Sequence, residues 1–190
     1  MGAQISPGFA SVILAGGTAA RLDGVDKASI EVEGRTLLAR AIDAAADATE
    51  VVVVGDAVAT ERPVTFTREN PRLGGPVAGL LTGRDALLGT PRSVVVQACD
   101  MPWVTGTTIR RLLQAGAGRE GAVLVGPDGR RQLLFCVDVS ALDRVRPDRE
   151  AQHGAALQPL LRRWDLVEVP ARGEEHRDID SWVDLRDLDS

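Results

Sequence analysis

Lysine is all but missing from this sequence: of 22 basic residues in 190, 21 are Arg and a single one, Lys27, is Lys. Tyrosine is absent, and Ala is abundant. Bias of this kind reflects a G+C-rich genome more than protein physics, which makes the one surviving lysine worth a question. Cysteine is scarce as well. Cys99 and Cys136 have no His or Cys at ligand spacing, which fits a reducing compartment and argues against a structural metal. No apolar run approaches the ~18–20 residues of a membrane span, and no basic segment leading into an apolar one opens the chain. Positive charge is in deficit: the formal net charge is −5 and the isoelectric point is near 5.1. Non-specific nucleic-acid binding or an anionic membrane surface is thereby disfavoured. The expected setting is cytoplasmic, with no nucleic-acid and no membrane partner.

What is present is the balance of a globular protein, 44% apolar and 26% charged. At this length folding buries roughly 70% of the unfolded surface, enough for one core without staples. We expect one domain over residues 1–190, without repeats or linkers. Short apolar runs alternate with helix-spaced stripes. Ala10–Ala15, Val51–Val54 and Val94–Ala98 read as buried strands, with weaker ones at Ile30–Val32 and Val64–Thr67. Helices are expected over Thr36–Asp47, Pro76–Leu88, from Thr105 or Thr107 to Gly116, over Ala155–Trp164, and from Ser181. Ala122–Val125 and Leu133–Val137 flank Pro127-Asp128-Gly129, a hairpin signal, and Leu166–Val169 is a further strand. Arg146–His153 reads only as the most polar stretch. The expected fold is three-layered α/β and Rossmann-like, a mostly parallel sheet with helices on both faces. Ligands of such sheets bind outside the carboxyl ends of the strands.

Three segments fall at that edge. Gly16-Gly17 follows the first strand, where missing β-carbons let backbone amides approach a ligand; a plain tight turn explains the pair equally well. The loop matches neither G-x-G-x-x-G nor G-x-x-x-x-G-K-[ST], which disfavours dinucleotide redox cofactors and Walker-type ATPases. Arg21 and Asp26-Lys27 continue the same loop. A glycine turn, an arginine fork and a lysine point charge make an anion cradle suited to a polyphosphate. Asp100 ends the Val94 strand, placed to hold Mg²⁺ with phosphates and water completing the shell. Asp178-Ile179-Asp180 supplies a further carboxylate in Asp180, or Asp180 caps the Ser181 helix. Gly75 and Gly79 flank a helix start and leave room for a ring or ribose, or for a neighbouring strand. Cys99, His153 and His176 read as packing or solvated residues. Trp103, Trp164 and Trp182 read as packing, with Trp103 close enough to Asp100 to border a substrate.

Leu14-Ala15-Gly16-Gly17-x3-Arg21-x4-Asp26-Lys27, then Gly75-Pro76-x2-Gly79, then Cys99-Asp100-Met101-Pro102, resemble the nucleotidyltransferases of the A-type glycosyltransferase fold. Order and length most resemble the molybdenum cofactor guanylyltransferases. The likeness covers Ala10 to about Leu113, and more weakly Asp178-Ile179-Asp180-Ser181. It implies transfer of GMP from GTP to molybdopterin with Mg²⁺; the chain is expected to be a monomer or weak homo-oligomer. It further implies that Leu14, Ala15, Gly16 and Gly17 present backbone to the nucleotide. Arg21 and Lys27 would hold the triphosphate, and Asp100 would bind the metal. Gly55 stands where the family commonly has Asn, and Arg68 where it commonly has Asp, with Glu69 beside it. Both positions line the nucleoside side and bear on the choice of guanine over cytosine. Arg130 and Arg131 lie on a hairpin where the family's acceptor would bind, although a solvated turn explains them nearly as well.

Overall fold

The computed structural model describes residues 8–16, 26–69 and 74–186. Its centre is β1 (Phe9–Leu14), which pairs in parallel on one side with β4 (Glu50–Val54) and on the other with β6 (Ser93–Ala98). Runs such as Val51-Val52-Val53-Val54 suit this position, because a strand with covered faces needs apolar side chains on both. β5 (Thr65–Thr67) lies outside β4, and on the far side follow β8 (Arg131–Asp138), β7 (Gly121–Val125) and β9 (Leu166–Pro170). The order is β5-β4-β1-β6-β8-β7-β9. Among the described residues only β8 runs against the rest of this sheet, so the other strands point their carboxyl ends to one edge.

Alternation along the strands feeds two cores. Ile13, Val51, Val53 and Val95 face α1 (Leu37–Ala44) and α3 (Gly106–Ala115), meeting Leu38, Ile42, Ile109 and Leu112. Ala10, Val12, Val52 and Val96 face the opposite way, onto α2 (Gly75–Asp85), α4 (Val139–Arg144) and α6 (Leu157–Leu161). These are the three layers expected. Helix α2 lies very close to the sheet: a β-carbon on Gly83 would come within 2.4 Å of Val12 Cγ1.

Several local expectations are refined. Ile30–Val32 becomes a two-stranded ribbon of β2 (Glu31–Val32) and β3 (Arg35–Thr36), turned by Glu33 and Gly34, both with positive φ. Helix α1 ends at Ala44, short of Asp47, and α2 ends at Asp85, short of Leu88. Of the two candidate caps, Thr105 starts α3, exchanging hydrogen bonds with Thr108 in a capping box. The polar stretch after β8 is not all loop. Arg146–His153 carries α5 (Arg149–Gln152), and before it stands α4, which was not expected because a stripe of only Ala141, Leu142 and Val145 is too short to show it by period. The last helix is α7 (Trp182–Arg186). No helix among the described residues is long and apolar enough to cross a membrane.

Candidate active site

An open cleft of about 410 Å³ lies at the carboxyl edge of β1 and β6. Its floor is Leu14, Ala15 and Gly16 on one side and Cys99 and Asp100 on the other, and it extends to Gly75 and Pro76 at the start of α2. Backbone bonds carry the sheet a step past the strand ends: Ala15 N–H donates to Val54 O at 2.9 Å and Cys99 N–H to Leu14 O at 3.0 Å. The floor is therefore as fixed as the sheet. Gly17 and Arg21 lie outside the described residues.

Lys27 enters on one turn of 3₁₀-helix, Lys27–Ser29, capped by the Asp26 carboxylate, which accepts from Ala28 N–H at 3.1 Å. Its ammonium donates to Asp100 Oδ2 at 3.0 Å and to Asp180 Oδ1 at 2.5 Å. The sequence left Asp180 between two roles. In the structure Ser181 caps α7, and Asp184 accepts from Ser181 N–H at 2.7 Å, so the Asp180 carboxylate is turned to Lys27.

Asp178 to Asp180 reach this place on a strap running from the end of β9. Ala171 N–H donates to Val125 O, and Ile179 N–H donates to Asp100 O at 2.9 Å, each a tie to the sheet. Between them Glu175 is held by the Arg111 guanidinium, at 2.7 and 3.0 Å, by the Thr108 hydroxyl at 2.7 Å and by Arg172 N–H at 2.7 Å. Sequence reasoning missed Glu175, since its side-chain partners are 64 and 67 positions away and no local signal marks it.

The electrostatics follow from setting two carboxylates, Asp100 and Asp180, on one ammonium, with Asp178 nearby. Burial pushes the Asp100 carboxyl above its ordinary value, more than the Lys27 charge pulls it down. Asp178, at the rim, is pushed up by partial loss of solvent and by the charges of Asp180 and Asp100. Burial alone would lower Lys27, but the hydrogen bond to Asp180 and the charge of Asp100 outweigh it, so its ammonium is held more firmly than usual. The thiol of Cys99 is buried and pushed up to about 12, which removes it as a nucleophile.

On the opposite wall, the Glu69 carboxylate lies between Gly16 and Gly79. Its Oε1 is 3.5 Å from where a β-carbon on Gly16 would stand and 3.2 Å from that of Gly79. Close approach thus explains Gly79, which also lies 3.3 Å from Leu14 Cδ2 by the same measure, whereas a β-carbon on Gly16 would meet only ordinary contacts. Arg68, the neighbour singled out from sequence, faces elsewhere: its guanidinium pairs with Asp56 at 2.9 Å, beside Thr82 and Asp85 in a separate groove. Gly55 packs against Ala15, and a β-carbon there would be 3.1 Å from that of Ala15.

The hairpin between β7 and β8 rises at the same edge. Arg130 is exposed and pairs with Asp128 of its own turn, while Arg131 donates to Glu168 at 2.9 Å and to Leu161 O, tying β8 to β9 and α6. Neither guanidinium is aimed into the cleft. Trp103 packs on the Ile30, Val32 and Ile179 cluster under the Arg177 guanidinium, and Trp164 is buried with its indole N–H on Ala141 O. Both pack, as expected. His153 is exposed; His176 is half-buried, its Nδ1 3.2 Å from Gly173 O.

The donor set suits a hard divalent cation. Two carboxylates already converge on one positive charge, and Mg²⁺ or Mn²⁺ asks for one or two carboxylates with phosphate and water oxygens filling the rest. Among the described residues no third His, Cys, Asp or Glu closes with them around a single point. Two carboxylates alone would leave most of such a cation's coordination shell to other ligands.

The profile of a family described as the MobA-like NTP transferase domain matches residues 11–178. Among curated proteins, a molybdenum cofactor guanylyltransferase of Burkholderia orbicola is 29% identical over 204 aligned positions, covering 99% of this chain and 98% of that protein. One from Cupriavidus taiwanensis is 33% identical over 147, covering 70% and 72%. Of solved structures, the molybdopterin-guanine dinucleotide biosynthesis protein A of Archaeoglobus fulgidus superposes with a TM-score of 0.70 at 22% identity, covering 94% of this chain and 96% of that one. The Rv0371c protein of Mycobacterium tuberculosis in complex with manganese gives 0.67 at 20% identity, covering 95% and 97%. At these identities the structures speak to the fold.

Proposed function

Because this chain belongs to the MobA-like NTP transferase domain family, we propose that it transfers GMP from GTP to the terminal phosphate of molybdopterin, with release of pyrophosphate. The observation that carries the reading is the convergence of Lys27, Asp100 and Asp180 at the sheet edge, beside a glycine-lined slot closed by Glu69. The nucleophile is already an anion, so the protein's part is to place and to neutralise.

Each residue then has a task. Leu14, Ala15 and Gly16 offer backbone to the purine. The acceptor-only carboxylate of Glu69 matches the two adjacent N–H donors on guanine's pairing edge, whereas cytosine presents a donor beside an acceptor. Glu69 thereby fills the role that the resemblance sought at Arg68. Lys27, with Arg21 from the same loop, neutralises charge on the departing pyrophosphate. Asp100 and Asp180 hold the divalent cation, which we assign as Mg²⁺. When bound, it supplies charge neutralisation at the α-phosphate. The hairpin carrying Arg130 borders the acceptor side.

The test is a panel of four nucleoside triphosphates, scored first by thermal stabilisation and then by pyrophosphate release with molybdopterin. GTP is expected to raise the melting temperature most and to be the only nucleotide turned over well, and Glu69→Gln is expected to erase that preference. A larger shift and faster release with CTP would replace the guanylyl reading by a cytidylyl one. Nucleotide binding without any pyrophosphate release would leave a nucleotide-binding regulator.

A further inference from the structure

Two sets of oxygens compete for the Lys27 ammonium. In this structure its ammonium bridges Asp100 and Asp180, the two carboxylates that would hold a divalent cation, while nucleotidyl transfer asks the same ammonium to sit on phosphate oxygens. The main chain at Lys27 is not free to choose between them. Asp26 caps its turn, Ile30 N–H donates back to Lys27 O at 3.2 Å, Leu37 N–H donates to Ile30 O at 2.8 Å, and Ala28 is buried in the core. Only the four-carbon stem can swing. The Lys27 side chain is about one-fifth exposed, as is that of Asp100, so the pair is partly shielded from water and from salt.

We propose that Lys27 is a tethered counter-ion: it holds the cation locus until a nucleotide arrives, so that divalent metal binds firmly only together with the nucleotide. This rests on the nucleotidyl-transfer reading. A metal ion without nucleotide must displace an ammonium that cannot diffuse away, and that ammonium is then left beside a second cation with nothing to pair with. The tether gives the ammonium a high effective concentration at the locus. A triphosphate removes both penalties, because its oxygens receive the ammonium as the carboxylates are released to the metal. The coupling is reciprocal, so metal must strengthen nucleotide binding by the same factor. The metal-free, nucleotide-free enzyme keeps its carboxylates paired, and stray divalent cations do not accumulate there.

The lone lysine makes the exchange visible in the parent protein. Labelling with ¹⁵N-lysine gives one side-chain ammonium resonance, from Lys27. We expect Mg²⁺ alone to leave it in place, and Mg²⁺ with a GTP analogue bridged by methylene between the α and β phosphates to move it. In parallel, Mn²⁺ binding is read by electron paramagnetic resonance, taking as the relevant site the one lost in Asp100→Asn. Lys27→Met is expected to bind Mn²⁺ without nucleotide about five-fold or more tightly than the parent. The gain from adding the analogue is expected to be smaller in the variant than in the parent. Equal or weaker Mn²⁺ binding by Lys27→Met, with analogue binding to the parent intact, overturns the counter-ion role alone. A resonance that moves with Mg²⁺ alone does the same, and needs no variant. Failure of the parent to bind the analogue at all overturns the nucleotidyl reading, and the counter-ion role with it.

Discussion

Replacing Glu175 by Gln keeps the shape of the side chain and removes its charge. The carboxylate serves four donors: Oε1 accepts from the Thr108 hydroxyl and one Arg111 nitrogen, and Oε2 from the other Arg111 nitrogen and Arg172 N–H. An amide has one acceptor oxygen and points an NH₂ group at whichever pair it cannot serve. The side chains of Arg111 and Glu175 are only 16% and 12% exposed, so the guanidinium is left poorly hydrated and half-paired. Breaking a buried pair costs about 3–5 kcal/mol, and because the amide keeps part of the network we expect about 2–3 kcal/mol here. With a urea slope of about 2 kcal/mol/M, the denaturation midpoint should fall by roughly 1–1.5 M. A domain stable by about 5–15 kcal/mol survives this folded. The loss should depend on pH in one direction. Burial pushes Glu175 up, but Arg111, Arg172 N–H and the Thr108 hydroxyl together hold it below its ordinary value of 4.5. A depressed carboxyl adds stability above its unfolded value and loses it as pH falls through the folded one. The gap between parent and variant should therefore be full near neutrality and shrink below pH 4.5. Since the strap also carries Asp178 and Asp180, the variant should need several-fold more divalent metal for half-maximal turnover, and excess metal should restore the rate. A neutral-pH loss under about 0.5 kcal/mol, or a gap unchanged in acid, would refute the reasoning from this network.

Two further substitutions probe the frame and the chemistry separately. Asp100→Asn should fold normally yet turn over at least about 100-fold more slowly, because loss of a cation-binding carboxylate removes several kcal/mol of transition-state stabilisation; a near-parental rate at saturating metal would reduce Asp100 to a partner of Lys27. In Gly83→Ala the new β-carbon meets Val12 Cγ1 at 2.4 Å and Val54 Cγ2 at 3.0 Å. Overpacking of about 1–3 kcal/mol should exceed the ~1 kcal/mol gained in helix propensity and lower the melting temperature by a few degrees, whereas an unchanged or raised value would show that α2 can shift outward.

How far the sequence spoke depended on how local each cause was. The run Val51–Val54 declares a covered strand by itself, and Asp128-Gly129 declares its hairpin, because in both cases the deciding interactions lie within a few residues. Thr105 and Thr107 were indistinguishable as caps until the hydroxyl of Thr108 chose Thr105. Arg68 and Glu69 are adjacent, and which of them faces the slot is set by where a three-residue edge strand ends, which no periodicity can show. Lys27 stood out by rarity and Asp100 by its place after a strand. That the two touch each other, and that Asp180 joins them, is long-range information carried by the strap and by the ties at Asp100 O and Val125 O.

That distance along the chain has a meaning for synthesis. Lys27 is separated by 73 positions from Asp100 and by 153 from Asp180. On a ribosome the lysine emerges first, then waits while β4 and β6 are made to flank β1, and meets its last partner only after β9 and the strap have followed. Contacts so remote in sequence form late and slowly. A nascent or truncated chain can own a nucleotide-facing loop and most of the central sheet and still lack the second carboxylate. On the function proposed above, competence to gather metal and nucleotide arrives near the end of folding, and a fragment ending before the strap should lack it.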